Sequence, residues 1–283
     1  MQAGWKHEPV SKVILFRSGG LGDVLLTFPL LAMLEKKYAE ILLCLPSKYH
    51  FLVNEIVPSA IKFDLDEGED QIIKQGYGAT VISFWDDPEW RNKWETAGAF
   101  KIYILDPRPT NGVHFSKSLI QRFEEPVILQ DLNQKWLLGN QAKFLNTQGN
   151  LWIHPGSGSP NKNLPLSTFF GFADQWLKKS PHHRVNFSFG EADLKIRDEF
   201  LTYTNLQNPR IDSEVFESLS SFFTKLSAHQ GPFIGNDSGP SHMAGMLGLD
   251  THVFFTSTNP QVWSPLGPFV KVYSGDSVPK SIL

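Results

Sequence analysis

The stretch RSGGLGDVLLTFP, Arg17 to Pro29, directly follows the apolar run Val13-Ile14-Leu15-Phe16. An aliphatic run, a glycine turn and an apolar helical period predict a strand, a tight loop and a helix. Leu21, Leu25, Phe28 and Ala32 share one face at helical spacing, and Pro29 is expected to kink that helix. A loop of this kind at a helix mouth is a ready cradle for an anion, yet the residue there is Asp23. The glycines miss the G-x-G-x-x-G spacing, and no P-loop Lys-Ser/Thr follows them. Two readings of Asp23 stand. It is a first-turn acid that caps the helix, or a carboxylate that accepts a proton from a neutral group such as a sugar hydroxyl.

The strand–loop–helix pattern recurs along the chain. Strands are predicted at Lys12–Phe16, Ile41–Leu45, Ala60–Phe63, Thr80–Phe84 and Lys101–Leu105, and helices at Asp23–Tyr38, Tyr49–Val57, Asp70–Gln75, Pro88–Ala97 and Val113–Phe123. A second series follows, with strands at Leu151–His154, Arg184–Phe189, Pro209–Ile211, Pro232–Gly235 and His252–Phe255. Its helices are expected at Ser167–Lys178, Glu191–Tyr203, Ser213–Leu226 and Gly239–Leu247. Such alternation predicts α/β architecture with parallel sheets covered on both faces. At 283 residues, two Rossmann-like domains facing a cleft are expected, 1–145 and 146–283, joined near 135–150. Ligands of open α/β sheets bind beyond the carboxyl ends of the strands.

Three further motifs fall at such ends. His154-Pro155-Gly156-Ser157-Gly158-Ser159 follows a strand, and its small residues let backbone amides approach a ligand. Lys162 stands just beyond it, suited to a phosphate oxygen. Asp237-Ser238-Gly239-Pro240-Ser241-His242 opens a helix, where the N–H groups of Gly239, Ser241 and His242 are expected to be free for an anion. Gly190-Glu191 follows a strand, where an acid often meets ribose hydroxyls. Asp193 is the alternative, and either is equally a first-turn helix acid.

Composition narrows the class. The chain is 41% hydrophobic and 19% charged, with a net charge of −3, which suits a folded protein and gives no sign of a nucleic-acid partner. The one cysteine, Cys44, lies in an apolar run and reads as a buried small hydrophobe, as in a reducing cytoplasm. The amino terminus has no apolar signal core. Val24–Leu34 is too short to span a bilayer, so any membrane contact is expected to be peripheral, at the inner face of the cytoplasmic membrane. No histidine or cysteine pair has zinc spacing, and no Asp-x-Asp is present to hold a divalent ion. Trp85, Trp90 and Trp94 read as core more readily than as a sugar platform.

In order along one chain, GLGDVLLTFP, HPGSGSPNKNLP, GNDSGPSHMAGMLG and FFTSTNPQVWSPLGP resemble the heptosyltransferase-type glycosyltransferases, family 9, of GT-B fold. The resemblance implies inverting transfer of a sugar from a nucleotide donor, typically ADP-heptose, to a lipopolysaccharide or related glycan acceptor. It implies neither a cofactor nor a metal ion. Asp23 would be the catalytic base on the acceptor side, and Lys162 would meet the charge on the donor phosphates. Gly22, His154, Gly156, Ser157, Asp237, Ser238, Gly239 and His242 would surround the donor, with Glu191 at the ribose. Leu164-Pro165 stands where the family usually has Trp-Pro, and the chain given ends soon after the PLGP loop. A relative that binds a sugar nucleotide or glycan without turnover, and an epimerase-type enzyme, are the alternatives.

Overall fold

The computed structural model describes residues 12–123, 125, 127–138, 149–203, 208–275 and 278–279. The expected interdomain boundary at 145/146 lies outside the described residues, as does most of the expected connection. The chain divides into two compact units: Met1–Gly19, Thr27–Pro109 and Ser118–Pro126 form one, and Gly20–Leu26, Thr110–Lys117 and Val127–Leu283 the other.

The first unit carries five strands: β1 (Lys12–Phe16), β2 (Glu40–Leu45), β3 (Ile61–Asp64), β4 (Thr80–Ser83) and β5 (Lys101–Ile104). They pair in parallel in the order β3-β2-β1-β4-β5. The second unit holds β6 (Leu151–His154), β7 (Val185–Phe189), β8 (Ile211–Val215), β9 (Phe233–Asn236), β10 (Thr251–Phe255) and β11 (Val270–Ser274). These pair in parallel as β11-β10-β9-β6-β7-β8, the doubly wound 3-2-1-4-5-6 order.

Helix α1 (Leu21–Leu25) and helix α2 (Phe28–Lys37) replace the single kinked helix expected over Asp23–Tyr38. Pro29 has no N–H to give and its ring crowds the preceding turn, so the chain restarts with Pro29 in the first turn of α2. Short helices follow: α3 (His50–Val53), α4 (Glu69–Ile73), α5 (Pro88–Thr96), α6 (Phe115–Gln121) and α7 (Leu129–Leu132). Asp87 caps α5 by accepting from Trp90 N–H at 2.8 Å. That turns Trp90 and Trp94 inward, edge-on to Phe16 at 5.4 Å each, and all three join a core with Ile14, Cys44 and Val81.

The longest described helix, α8 (Leu166–Lys179), buries Leu166, Phe169, Phe170, Ala173, Trp176 and Leu177 at helical spacing. Each large side chain withdrawn from water contributes about 1.5–3 kcal/mol. Against them pack Phe187 and Phe189 of β7 and Phe200 of α9 (Leu194–Leu201). Lys178 and Lys179 favour the dipole end of α8, and extended Ser180 stops it. The expected helix Ser213–Leu226 is corrected: Ser213–Val215 belongs to β8, and helix α10 runs Leu219–Ala228, capped by Ser218. Helix α11 (Gly239–Met246) and helix α12 (Pro260–Trp263) complete the unit. Among the described residues, no helix is long and apolar enough to cross a membrane.

Candidate functional site

In the second unit, β9 delivers Asn236 and Asp237 to the mouth of α11. Ser238 takes the N-cap position with extended backbone, and Pro240 sits in the first turn, where a missing N–H costs nothing. The expectation of three free amides is corrected at His242, whose N–H donates to Ser238 O at 3.2 Å. The groups without a helical partner lie ahead of it in the first turn.

Asp237 is buried and collects three side chains. Lys162 Nζ donates to its Oδ2 at 2.6 Å and Thr258 Oγ1 at 2.5 Å, while His242 Nε2 lies 3.7 Å from Oδ1. Burial pushes this carboxyl up. The His242 hydrogen bond and charge, then Lys162, outweigh burial and hold it at about 2. The group is therefore ionised at neutral pH, and its negative charge is spent on positioning the lysine and the histidine. His242 Nδ1 is buried without a hydrogen-bond partner, an arrangement that costs stability unless a ligand completes it.

Sequence reasoning missed Asn236, although it organises the loop that carries Lys162. Its buried Nδ2 donates to Pro155 O at 2.7 Å and its Oδ1 accepts from Leu164 N–H at 3.1 Å, gripping both ends of that loop. Thr256 Oγ1 adds a bond to Asn161 O at 2.8 Å. These links join positions far apart in the chain, and no local motif announces them.

The remaining glycine-loop residues divide into supports and rim. His154 is buried, with Nδ1 3.0 Å from Ser188 Oγ and Nε2 3.4 Å from Asp193 Oδ2. Burial holds it neutral against the raising effect of Asp193. Asp193 is also buried and accepts from Gly190 N–H at 2.8 Å. A Cβ on Gly156 would stand 1.9 Å from Asp193 Oδ1, so only glycine fits over that carboxylate. Asp193 thus welds the two loops from within, and of the two alternatives Glu191 is the exposed acid, on the 3-10 turn Glu191–Asp193. Ser157 closes its own turn through Ser159 O at 2.7 Å.

Asp23 lies at the third position of α1, half-buried, with Oδ2 accepting from Gly20 N–H at 2.8 Å. Its turn groups with the second unit because α1 packs on α11. A Cβ on Gly22 would meet the His242 ring at 2.9 Å, and one on Gly239 would meet Leu21 Cβ at 2.6 Å. The structure therefore brings Asp23, Gly22, Gly239 and His242 onto one pair of helices. His114, also missed, is buried nearby in the same unit, with Nε2 2.8 Å from Ser264 O. Burial, then the charge of His242, pushes it down to about 4 despite the Ser264 bond. Among the described residues, no group of three or more His, Cys, Asp or Glu side chains could hold a metal ion.

No family model matches the chain. It is 25% identical over 137 residues to lipopolysaccharide heptosyltransferase 1 of Campylobacter coli, covering 48% of this chain and only 40% of that relative. The E. coli ADP-heptose LPS heptosyltransferase II has the same fold, with a TM-score of 0.68 at 16% identity over 93% of this chain and 90% of that one. A family 9 glycosyltransferase from Veillonella parvula gives a TM-score of 0.69 at 18% identity over 94% and 87%. The two-unit parallel α/β fold is that of the heptosyltransferase-type GT-B structures to which the motifs pointed.

Proposed function

We propose that this chain is an inverting glycosyltransferase that moves a heptose-like sugar from an ADP-linked donor to a lipopolysaccharide or related cell-envelope glycan. The observation that carries the reading is the packing of α1 on α11, which sets the Asp23 carboxylate beside the helix end best suited to a diphosphate. Asp23 takes the proton of the acceptor hydroxyl as it attacks the anomeric carbon. Negative charge developing on the leaving diphosphate is met by Lys162 and the first-turn amides of α11. Lys162 has three donors, so it keeps Asp237 while it reaches a phosphate oxygen. His242 supplies a further contact through Nδ1. Glu191 stands ready for the ribose. Charge compensation by a lysine and a helix end needs no metal ion. The fold shared with an ADP-heptose enzyme supports the choice of donor, and a glycolipid acceptor puts the enzyme in peripheral contact with the inner face of the cytoplasmic membrane.

Calorimetry with ADP, GDP, UDP and CMP, followed by transfer from ADP-heptose to a core-glycan acceptor, tests this. Expected are ADP preference, an inverted anomeric linkage in the product, and turnover that survives EDTA. A donor that is epimerised or merely bound, with no glycan product, overturns the reading.

A further inference from the structure

The first unit has a crevice of its own. Its strand order reverses between β1 and β4, which is the switch point where open α/β sheets take their ligands. A depression of about 500 Å³ lies there, of the size that holds a small ligand, lined by Glu69, Trp85, Asp86, Asp87, Glu89, Trp90 and Lys93.

Such crevices commonly bind phosphate at helix amino termini. Here that use is blocked. Asp87 and Glu89 occupy the start of α5, and Glu69 the start of α4, so carboxylates already offset the helix dipoles. Lys93 pairs with Glu69 at 3.2 Å and Arg91 with Asp86 at 2.7 Å, while Glu89 has no partner among the described residues. Four carboxylates against two cations leave the crevice negative. Capping explains the acids but not the indole beside them. Trp85 is 38% exposed, and its backbone is clamped by Ser83 Oγ, which donates to Trp85 O at 3.0 Å and accepts from Trp85 N–H at 3.2 Å. The ring is thus presented at fixed orientation, 5.7 Å from that of Trp90. Trp90 is 3% exposed, and its own indole N–H finds no acceptor.

A half-exposed aromatic face flanked by acceptor-only carboxylates fits the apolar face and donating hydroxyls of a sugar ring, and repels an anion. We infer that this crevice is a subsite for a saccharide without acidic groups, and that it holds the acceptor. Calling the sugar the acceptor rests on the transferase reading. Its binding does not, and is measured without any nucleotide.

The full chain is titrated with maltotriose, triacetylchitotriose and trigalacturonate, followed by tryptophan fluorescence and calorimetry. Saturable binding of a neutral trisaccharide is expected, at least tenfold tighter than trigalacturonate. Trp85→Ala should weaken it tenfold or more with an unchanged melting temperature, because the ring is largely at the surface. Glu89→Gln should narrow the gap to trigalacturonate. The inference falls if neither neutral trisaccharide binds, if Trp85→Ala binds as the parent does, or if trigalacturonate binds equally well. Loss of transfer with saccharide binding intact would instead count against the transferase reading alone.

Discussion

Lys162 Nζ sits 2.6 Å from Asp237 Oδ2, so the cation offered to a donor phosphate is held by a buried acid rather than left to solvent. Its side chain is still 31% exposed, which leaves donors for a ligand. Lys162→Met should weaken ADP binding roughly 10- to 100-fold, the worth of a charge-assisted hydrogen bond. Stability should fall less than for a fully buried pair, because Asp237 keeps Thr258 and His242. Calorimetry showing parental ADP affinity would remove Lys162 from the site.

Gly22 tests the joint between α1 and α11. An exposed helical glycine replaced by alanine gains about 1 kcal/mol. Here the new Cβ would stand 2.9 Å from His242 Cδ2 and 3.2 Å from Nε2. His242 is buried and cannot swing away freely. Gly22→Ala should therefore be destabilising by about 1–3 kcal/mol, the usual cost of overpacking. Urea unfolding that shows a gain in stability would mean the two helices are not locked at this point.

Acid should loosen the second unit through His114. Its folded pKa of about 4 lies below the unfolded 6.5, so between those values the unfolded chain binds the extra proton. Stability is present in full above pH 6.5 and lost as pH falls towards 4. At about 1.4 kcal/mol per unit, the loss is on the order of 3 kcal/mol. His154, also shifted down by burial, acts in the same direction. His114→Gln should flatten the melting temperature across this window by its share, and an unchanged pH profile would count against it.

Strands with buried faces were legible because their residues are continuously apolar: Lys12–Phe16 and Leu151–His154 begin and end where the pattern says. The edge strands were not. In β8, IDSEV buries only Ile211, so its polar residues read as the start of a helix, and β11 is similarly exposed. Only pairing to β7 and to β10 makes these segments strands. The glycine loops and the Asp237–His242 run were readable as local chemistry. Asn236, Thr258 and His114 were not, since each acquires its role from a partner brought in by the fold. The choice between Glu191 and Asp193 also needed burial to separate an exposed acid from an internal brace.

Asp23 remains the residue on which the reading turns, and its geometry makes the test sharper. Its Oδ2 accepts from Gly20 N–H at 2.8 Å, so the carboxylate does cap the start of α1. One oxygen suffices for that, and Asn supplies one as well. Asp23→Asn should keep the melting temperature within about a degree or two, since a cap change between equals is worth only tenths of a kcal/mol. Asp23→Ala, which removes the acceptor, should cost about 1 kcal/mol. ADP affinity should change little in Asp23→Asn, because the phosphates are held by Lys162 and α11. Turnover should fall roughly 10²- to 10⁴-fold, as the amide cannot take the acceptor's proton. If the carboxylate only caps, Asp23→Asn transfers sugar within a few-fold of the parent and Asp23→Ala loses stability alone. Initial rates and melting curves of the two variants separate base from cap, because the first property needs the charge and the second needs only the oxygen.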